Sequence, residues 1–507
     1  MTAWFAMVLW PVISAVLFMR ATLPVAVSVT IIGGYLLLPT QTEINLPVLP
    51  TIDKYSVPAL VAILGVLLST SKDRLAPGWL PRDPVVLLLL GVLVVGAFGT
   101  ALTNSDFLSL GARTGLRLYD GFSIVLSSLI MLLPFLLGRK VLATVQAQRT
   151  FLVILITAAL AYSLLALWEV RMSPQLNRIL YGFFPHSWIQ HLRAGGFRPV
   201  VFLEHGLWLG IFFTTAATAA FAMVRASTGK ARVFFLCTGL WLLGVVFLSK
   251  VLGALLILLT MIPICLMLSR RLQLLAAIAI AGMVLLYPTL RSIDVLPMDR
   301  VVRLAAQVDA DRMQSFLFRL EQEDALLERA RERPVFGWGG FGRNRVLDTE
   351  GRDISTTDGK WVIEFGQGGW VRYIAVFGLL TWGIMGLLPR RRVDLDPVTL
   401  ALALALSANL VDILPNAGVS PVTWMIAGAM IGNLERLRAG HQNAPFVMTA
   451  TDDEGQRQGA PVYSRGELVT RDVQAPEVGE KTPDETRAGP RYRRDFKTAA
   501  QSHRRPS

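Results

Sequence analysis

Two arginines stand directly before an apolar segment of the chain, where they could bind an anionic group at a membrane surface. Arg193 and Arg198 are separated by Gly195 and Gly196 in the sequence RAGGFRP. Arginine suits phosphate, because its planar guanidinium donates hydrogen bonds in pairs and stays charged. Glycine lets backbone N–H groups approach an anion and leaves room for a bulky ligand. Proline after Arg198 disfavours helix there, so this stretch is expected to be extended.

Further ionisable residues flank other apolar segments. Lys250 interrupts an apolar stretch, 233–268, that is too long for one membrane span, so it should mark an outward turn between two spans. Lys250 could be a lysine that snorkels at a helix end. It could instead be another cation at the rim of a cavity at the outer face, which the two arginines would also line. Glu204 and His205 could orient the arginines or simply begin a helix. Ordinary ion pairs between single arginines and Glu169, Asp120 or Glu204 are the alternative to anion binding.

Two carboxylates precede the apolar segment that starts near Gly369. Asp358 and Glu364 are candidate general bases, because a carboxylate beside cations at the mouth of a cavity can accept a proton. The alternative for Asp358 is that it caps a turn together with Gly359.

The elements that must position these residues are membrane helices. The 507 residues are 53% hydrophobic and 17% charged, with a mean hydropathy of +0.51. This composition excludes an ordinary soluble domain, and long apolar runs favour helices over a membrane barrel. We predict an all-α polytopic bundle of about 11–13 spans over 1–435. The segments are 3–19, 21–39, 56–70, 84–103, 121–138, 150–168, 205–224, 233–249, 251–268, 272–288, 369–389, 397–414 and 420–434.

Charge indicates the orientation of the bundle. The net charge of +13 comes from basic residues scattered between spans, which favours membrane lipid or an anionic substrate and argues against nucleic acid. Five short basic loops fall on one side, which we assign to the cytoplasm. The arginine-bearing loops and the long segment 289–368 are then outside. Residues 436–507 are polar and proline-rich, so we predict a disordered cytoplasmic tail.

The outer segment 289–368 contains a predicted amphipathic helix over 311–333. Its apolar positions have helical spacing, and charges occupy the other face. They are Met313, Phe316, Leu317, Leu320, Leu327 and Ala330. A glycine-rich turn, PVFGWGGFG, follows at 334–342. The two cysteines, Cys237 and Cys265, lie inside apolar runs, which indicates neither a disulfide framework nor a metal site.

Together these features resemble the O-antigen ligase and polysaccharide polymerase superfamily over about residues 50 to 435. The resemblance rests on the overall layout and three local matches: RAGGFRP before a middle span, the pair Ser249–Lys250 between spans, and an outer loop with an arginine-bearing helix and a P-x-x-G-x-G turn. Members of that superfamily usually carry histidine ten residues before a glycine in this loop. Here Asp358 and Gly369 have that spacing.

The resemblance implies metal-independent glycosyl transfer, without a cofactor, at the outer face of a bacterial inner membrane. The donor would be a polyprenyl-pyrophosphate-linked glycan and the acceptor a glycan hydroxyl. Arg193, Arg198, Lys250 and Arg319 would stabilise the leaving pyrophosphate, and Asp358, then Glu364, would be the base. His186, His191 or His205 could replace the missing histidine. The departure from the histidine pattern favours a polymerase over a ligase to lipid A core, with a chain-length regulator or other assembly proteins as possible partners. A transporter or flippase of a lipid-linked or anionic substrate is the competing class.

Overall fold

A computed structural model describes residues 2–45, 50–69, 75–193, 195–292, 310–390 and 395–440. All thirteen segments predicted as spans are helical in it. Those helices are α1 (Thr2–Arg20), α2 (Leu23–Leu37), α3 (Ser56–Leu68), α4 (Pro84–Thr103), α5 (Leu118–Val141), α6 (Val145–Met172), α8 (Gly206–Arg225), α9 (Gly229–Leu248), α10 (Leu252–Leu266), α11 (Arg270–Ser292), α13 (Lys360–Met385), α14 (Pro397–Asp412) and α15 (Pro421–Arg438).

The protein is therefore an all-α, multi-pass membrane protein. Among the described residues, eight helices are long and apolar enough to cross a membrane, namely α1, α4, α5, α6, α8, α9, α11 and α13. Four apolar helices are shorter, with 13 to 16 residues: α2, α3, α10 and α14. The expected total of about 11–13 spans stays a prediction.

Helix starts follow from capping residues. The Asp83 carboxylate accepts hydrogen bonds from the backbone N–H groups of Val85 and Val86 at the start of α4. Asp396 and Ser420 cap α14 and α15 in the same way. Each of these helices has proline at its first position, where a missing N–H costs nothing.

The centre of the bundle is formed by α8, α14 and α15, whose side chains are almost all buried. A buried polar chain joins them, since Asn409 donates to Thr215 Oγ1 and accepts from Thr423 Oγ1, both at 2.8 Å. Helix α5 packs closely on α15, because a Cβ at Gly428 would lie 1.9 Å from the Phe135 carbonyl oxygen. Small residues allow such backbone approach in membranes.

Two further α-helices, two short 3-10 helices (Trp188–His191 and Leu388–Arg390) and one hairpin complete the described chain. The hairpin strands are β1 (Leu192–Arg193) and β2 (Gly196–Phe197), and α7 (Leu176–Tyr181) precedes them. Helix α12 (Ala310–Arg331) confirms the predicted amphipathic helix and packs on α13. Its Leu327 and Ala330 side chains are buried, and Leu317 and Leu320 are half-buried. The side chains of Met313 and Phe316, and most of the predicted tail, lie outside the described residues.

Candidate active site

The arginine-bearing stretch forms a tight antiparallel hairpin, in which Leu192 pairs with Phe197 and Arg193 with Gly196. Gly195 has φ +68°, a left-handed conformation that favours glycine in the turn. The chain then runs without helix to His205, as Pro199 predicted. Arg193 is exposed at the hairpin, and no carboxylate pairs with it among the described residues.

Lys250 lies at the turn between α9 and α10, as expected, and its ammonium contacts the hairpin. Its Nζ donates to the Arg193 carbonyl at 2.9 Å. A Cβ at Gly196 would lie 2.2 Å from that Nζ. Gly196 therefore makes room for the lysine, whereas the sequence suggested room for a bulky ligand. The turn between α9 and α10 therefore contacts the hairpin through Lys250.

Residues 199–205 are fixed by groups from distant helices. Glu169 on α6 accepts hydrogen bonds from the Val200 and Val201 N–H groups, both at 2.8 Å. The Tyr162 hydroxyl accepts from the Phe202 N–H, and Lys54 donates to the Phe202 carbonyl, each at 3.0 Å. Because carboxylate acceptors make strong hydrogen bonds to N–H groups, this segment holds Arg198 in a defined place.

Lys54 is a buried cation that sequence reasoning missed. It is 1% exposed and lies over the Tyr35 and Tyr55 rings, 5.8 and 5.7 Å from their centroids. Burial lowers the pKa of Lys54 to about 8, although nearby Glu204 and Asp53 oppose the shift. The Tyr55 hydroxyl donates to Glu204 Oε1 at 2.5 Å. Glu204 thus accepts a hydrogen bond from a tyrosine. In the sequence TIDKY, Lys54 lies between Asp53 and Tyr55, and these adjacent polar residues were the signal for the cluster.

Three histidines meet beside the hairpin. The ring centroids of His186 and His191 lie 4.8 and 4.9 Å from that of His205. His205 Nδ1 accepts from the Leu207 N–H at 3.0 Å, so this histidine begins α8. Burial lowers the pKa of His205 to about 3, with further contributions from His191, Arg198, His186 and Arg319. Burial and the charge of Arg198 lower the pKa of His191 to about 4. Both are neutral at physiological pH.

The second half of the site is an ion pair between α12 and the start of α13. Arg319 Nε lies 3.1 Å from Asp358 Oδ2, and each side chain is about a third exposed. Gly359, and not Asp358, is the residue that caps α13, and no side chain completes that cap. The alternative that Asp358 caps a turn together with Gly359 stays a prediction, while its carboxylate pairs with Arg319, a cation that the resemblance also assigns to the site.

The loop 413–418 joins the two halves. The Lys360 N–H, two residues after Asp358, donates to the carbonyl oxygens of Ile413 and Asn416 at 3.1 and 3.0 Å. At the other end of this loop, a Cβ on Gly418 would lie 1.9 Å from the Trp208 ring, three residues after His205. The positive charge of Arg319 also contributes to lowering the pKa of His205. The starts of α8 and α13 therefore both lie against the loop 413–418.

Glu364 is a weaker candidate for the base than Asp358. It is fully buried, and cations bind both of its oxygens. Lys360 Nζ lies 2.6 Å from Oε1 and Arg372 Nε lies 2.5 Å from Oε2. A carboxylate between two cations binds a proton poorly, so Glu364 is better suited to hold α13 together.

Gly369 has a structural role. Its φ of 62° and ψ of −162° interrupt α13. A Cβ there would lie 2.3 Å from the carbonyl carbon and oxygen of Val335. The glycine-rich turn runs alongside the interruption, since Gly339 N–H donates to the Gln367 carbonyl and Trp370 N–H donates to the Pro334 carbonyl, both at 2.8 Å. The glycine of the family-like spacing is therefore where the outer loop docks on the helix.

Among the described residues, several arginines of the segment 289–368 pair with acids, although not with the three acids that the alternative interpretation named. Arg333 and the buried Arg343 both bind Asp106, at 2.9 and 3.2 Å. The hydrogen bond from Arg333 is the main cause that lowers the pKa of Asp106. Asp120, Glu169 and Glu204, which the sequence analysis offered as partners of arginines, bind other groups. Asp120 accepts a hydrogen bond from the Arg117 backbone N–H. Glu169 and Glu204 have the partners described above.

An apolar groove runs between α4 and α5. A cavity of about 410 Å³ is lined there by leucine and valine side chains, among them Leu90 and Leu132. A second cavity of about 220 Å³ shares Leu93 with it and extends to Gly340 and Arg372. Apolar side chains therefore line most of the groove, and polar residues line one end of it.

No protein-family model matches this chain, and no curated protein matches it.

Proposed function

We propose that this protein transfers glycosyl groups from a polyprenyl-pyrophosphate-linked saccharide at the periplasmic face of a bacterial inner membrane, polymerising the repeat units of a surface polysaccharide. The observation that carries the proposal is that the start of α8, which follows the arginine hairpin, and the start of α13, which follows the Arg319–Asp358 pair, both contact the loop 413–418. Cations for a pyrophosphate and a carboxylate for a proton are the two groups that this chemistry requires.

The transfer step would proceed as follows. An acceptor hydroxyl oxygen attacks the anomeric carbon, and the bond from that carbon to the pyrophosphate oxygen breaks with its electron pair. Negative charge grows on the leaving pyrophosphate, where Arg193, Arg198 and Arg319 can stabilise it. Lys250 supports the hairpin and adds to the same positive potential. The hydroxyl proton moves to Asp358, whose Oδ1 is not the atom that pairs with Arg319.

Histidine is the second candidate for the base. Of the three rings, that of the exposed His186 is the one that could accept a proton, because the lone pair of neutral His205 already accepts the Leu207 N–H and the lowered pKa of buried His191 makes it a poor base. Asp358 remains the first choice, because it stands at the family-like position and beside a cation.

The apolar groove between α4 and α5 supports a lipid-linked donor. Its leucine-lined length fits an isoprenoid chain, and Arg372 at its polar end contributes positive charge near α13. Glu364 bridges Arg372 and Lys360, which connects this end of the groove with the start of α13.

Deletion of the gene followed by glycan chain-length analysis tests the class of activity. A polymerase deletion leaves single repeat units on the lipid carrier outside. A ligase deletion would leave full-length polymer on the carrier, and a transporter deletion would leave repeat units inside. Either of these two results would overturn the proposal.

Two pairs of variants test the residues. Arg193→Ala is expected to abolish polymer formation at normal expression, whereas Arg178→Ala, an exposed arginine on α7, leaves it unchanged. Asp358→Asn is expected to lower the rate by about 100-fold or more. Its matched control is Glu350→Gln, an exposed acid of the same outer segment. Normal polymer from Arg193→Ala protein would refute the pyrophosphate role, and full activity of Asp358→Asn would refute the base.

A further inference from the structure

We propose that His186, His191 and His205 form a binding site for a divalent metal ion of the class that prefers imidazole, with Zn²⁺ as its representative. Their ligating atoms all lie within 4.8 Å of one another. The three residues come from separate parts of the chain: His186 precedes the hairpin, His191 begins it, and His205 stands at the N-terminus of α8.

The geometry is close to that of a three-histidine zinc site. Zinc–nitrogen bonds of about 2.0–2.1 Å in a tetrahedron place ligand nitrogens about 3.3 Å apart. Small rotations of the three rings would bring their nitrogens from the observed separations to this value. The fourth position would be open to water or an anion.

His191 gives independent evidence for a ligand. Its side chain is 0% exposed, and neither Nδ1 nor Nε2 has a hydrogen-bond partner. Nearly all buried side-chain nitrogens in proteins have a partner, so two such atoms on one ring require an explanation. Both neighbouring rings lie beside it. A metal ion bound to one nitrogen would supply the missing interaction.

The ligand atoms and their access are compatible with a metal. Metal binding needs a lone pair on a neutral imidazole, and both ring nitrogens of His191 lack a hydrogen-bond partner. In a neutral ring only one nitrogen has a lone pair, and His205 uses it to cap α8. Metal binding therefore replaces that one cap hydrogen bond. His186 is exposed, which gives an ion a path from solvent.

The inferred role is structural. A bound ion would fasten the segment before the hairpin to the start of α8, next to Arg193 and Arg198. No step of the proposed glycosyl transfer uses this ion, so a metal-binding experiment tests this inference independently of the proposed function. It departs from the sequence-based expectation of no metal site, which considered the two cysteines and could not show that three histidines meet.

In the test, full-length protein is purified in detergent, stripped of metal, incubated with Zn²⁺ and freed of unbound ions. We then expect elemental analysis to find one Zn²⁺ per chain. Mg²⁺ should not compete for the site, and the thermal midpoint should be higher with Zn²⁺ than without it. His191→Ala and His186→Ala should each weaken Zn²⁺ binding by more than about 100-fold. A double variant of the two remaining histidines, His441→Ala with His503→Ala, is the matched control and should bind normally.

Cobalt serves as a second probe, since Co²⁺ in a three-nitrogen site gives an intense visible absorption band. If His191→Ala does not fold, the exposed His186→Ala variant carries the test through loss of this band. Absence of stoichiometric Zn²⁺ in the wild-type protein would overturn the proposal. So would equal binding by the wild-type protein and His186→Ala.

Discussion

Replacing Gly369 by alanine should destabilise the protein, because two separate penalties coincide there. The backbone at φ 62° and ψ −162° is a region that only glycine occupies without strain, and other residues lose about 1–3 kcal/mol in such conformations. The added Cβ would also lie 2.3 Å from Val335 backbone atoms and 2.5 Å from the Pro334 carbonyl oxygen. Rotation of a side chain cannot relieve contacts with backbone.

The second penalty is that the outer loop must move away from α13. Overpacking costs about 1–3 kcal/mol, so the two effects together amount to about 2–6 kcal/mol. The displacement would also lengthen the hydrogen bonds from Trp370 to Pro334 and from Val371 to Val335, which are 2.8 and 3.3 Å. We therefore expect the variant to lose stability in the contact between the loop and the helix.

Thermal unfolding in detergent at a fixed scan rate measures this effect. Gly340→Ala is the matched control, because no atom lies within 4 Å of a Cβ there and it belongs to the same turn. The control should keep the wild-type midpoint, whereas Gly369→Ala should unfold several degrees lower. Equal midpoints for the two variants would show that the reasoning from the strained helix break is wrong.

Three further predictions concern the groups around the hairpin. The pKa of Lys54 is about 8 in the folded protein and 10.5 in the unfolded chain, so between these pH values the unfolded chain binds more protons than the folded protein. The free energy of unfolding should therefore rise by up to about 3 kcal/mol between pH 8 and 10.5. Lys54→Met should lack that rise in pH-dependent melting. Glu169→Gln should cost about 2–3 kcal/mol, because three backbone N–H groups lose a charged acceptor, and an unchanged midpoint would contradict this. Gly196→Ala should displace the Lys250 ammonium, seen as faster reaction of Lys250 with an amine reagent by mass spectrometry; unchanged labelling would refute the contact.

The helices could be predicted from sequence because they depend on local properties. The lengths of the apolar runs predicted every apolar helical segment. The stretch 233–268 is too long for one span, which predicted the turn between α9 and α10 at Lys250. Pro199 marked the absence of helix in the same way, and the periodicity of 311–333 marked α12. In each case the signal lies within the element itself.

The site was less predictable because its contacts join distant parts of the chain. Asp358 and Arg319 could be placed on one side of the membrane, but their contact depends on how α12 lies on α13. Glu169 could not be recognised as a backbone acceptor, since its partners are 31 and 32 residues away. The spacing of His186, His191 and His205 has no helical or strand period, so nothing in the sequence indicated that they meet.

The docking of the glycine-rich turn on the break in α13 has a consequence for building chimeras with related proteins. Helix order suggests that the loop before α13 can be exchanged by cutting just before Lys360, where that helix begins. The backbone hydrogen bonds of Pro334, Val335 and Gly339 nevertheless run to residues 367–371, inside the helix. A graft that ends at residue 359 would separate the two sides of this junction, whereas one that carries 333–371 as a single cassette would keep them together.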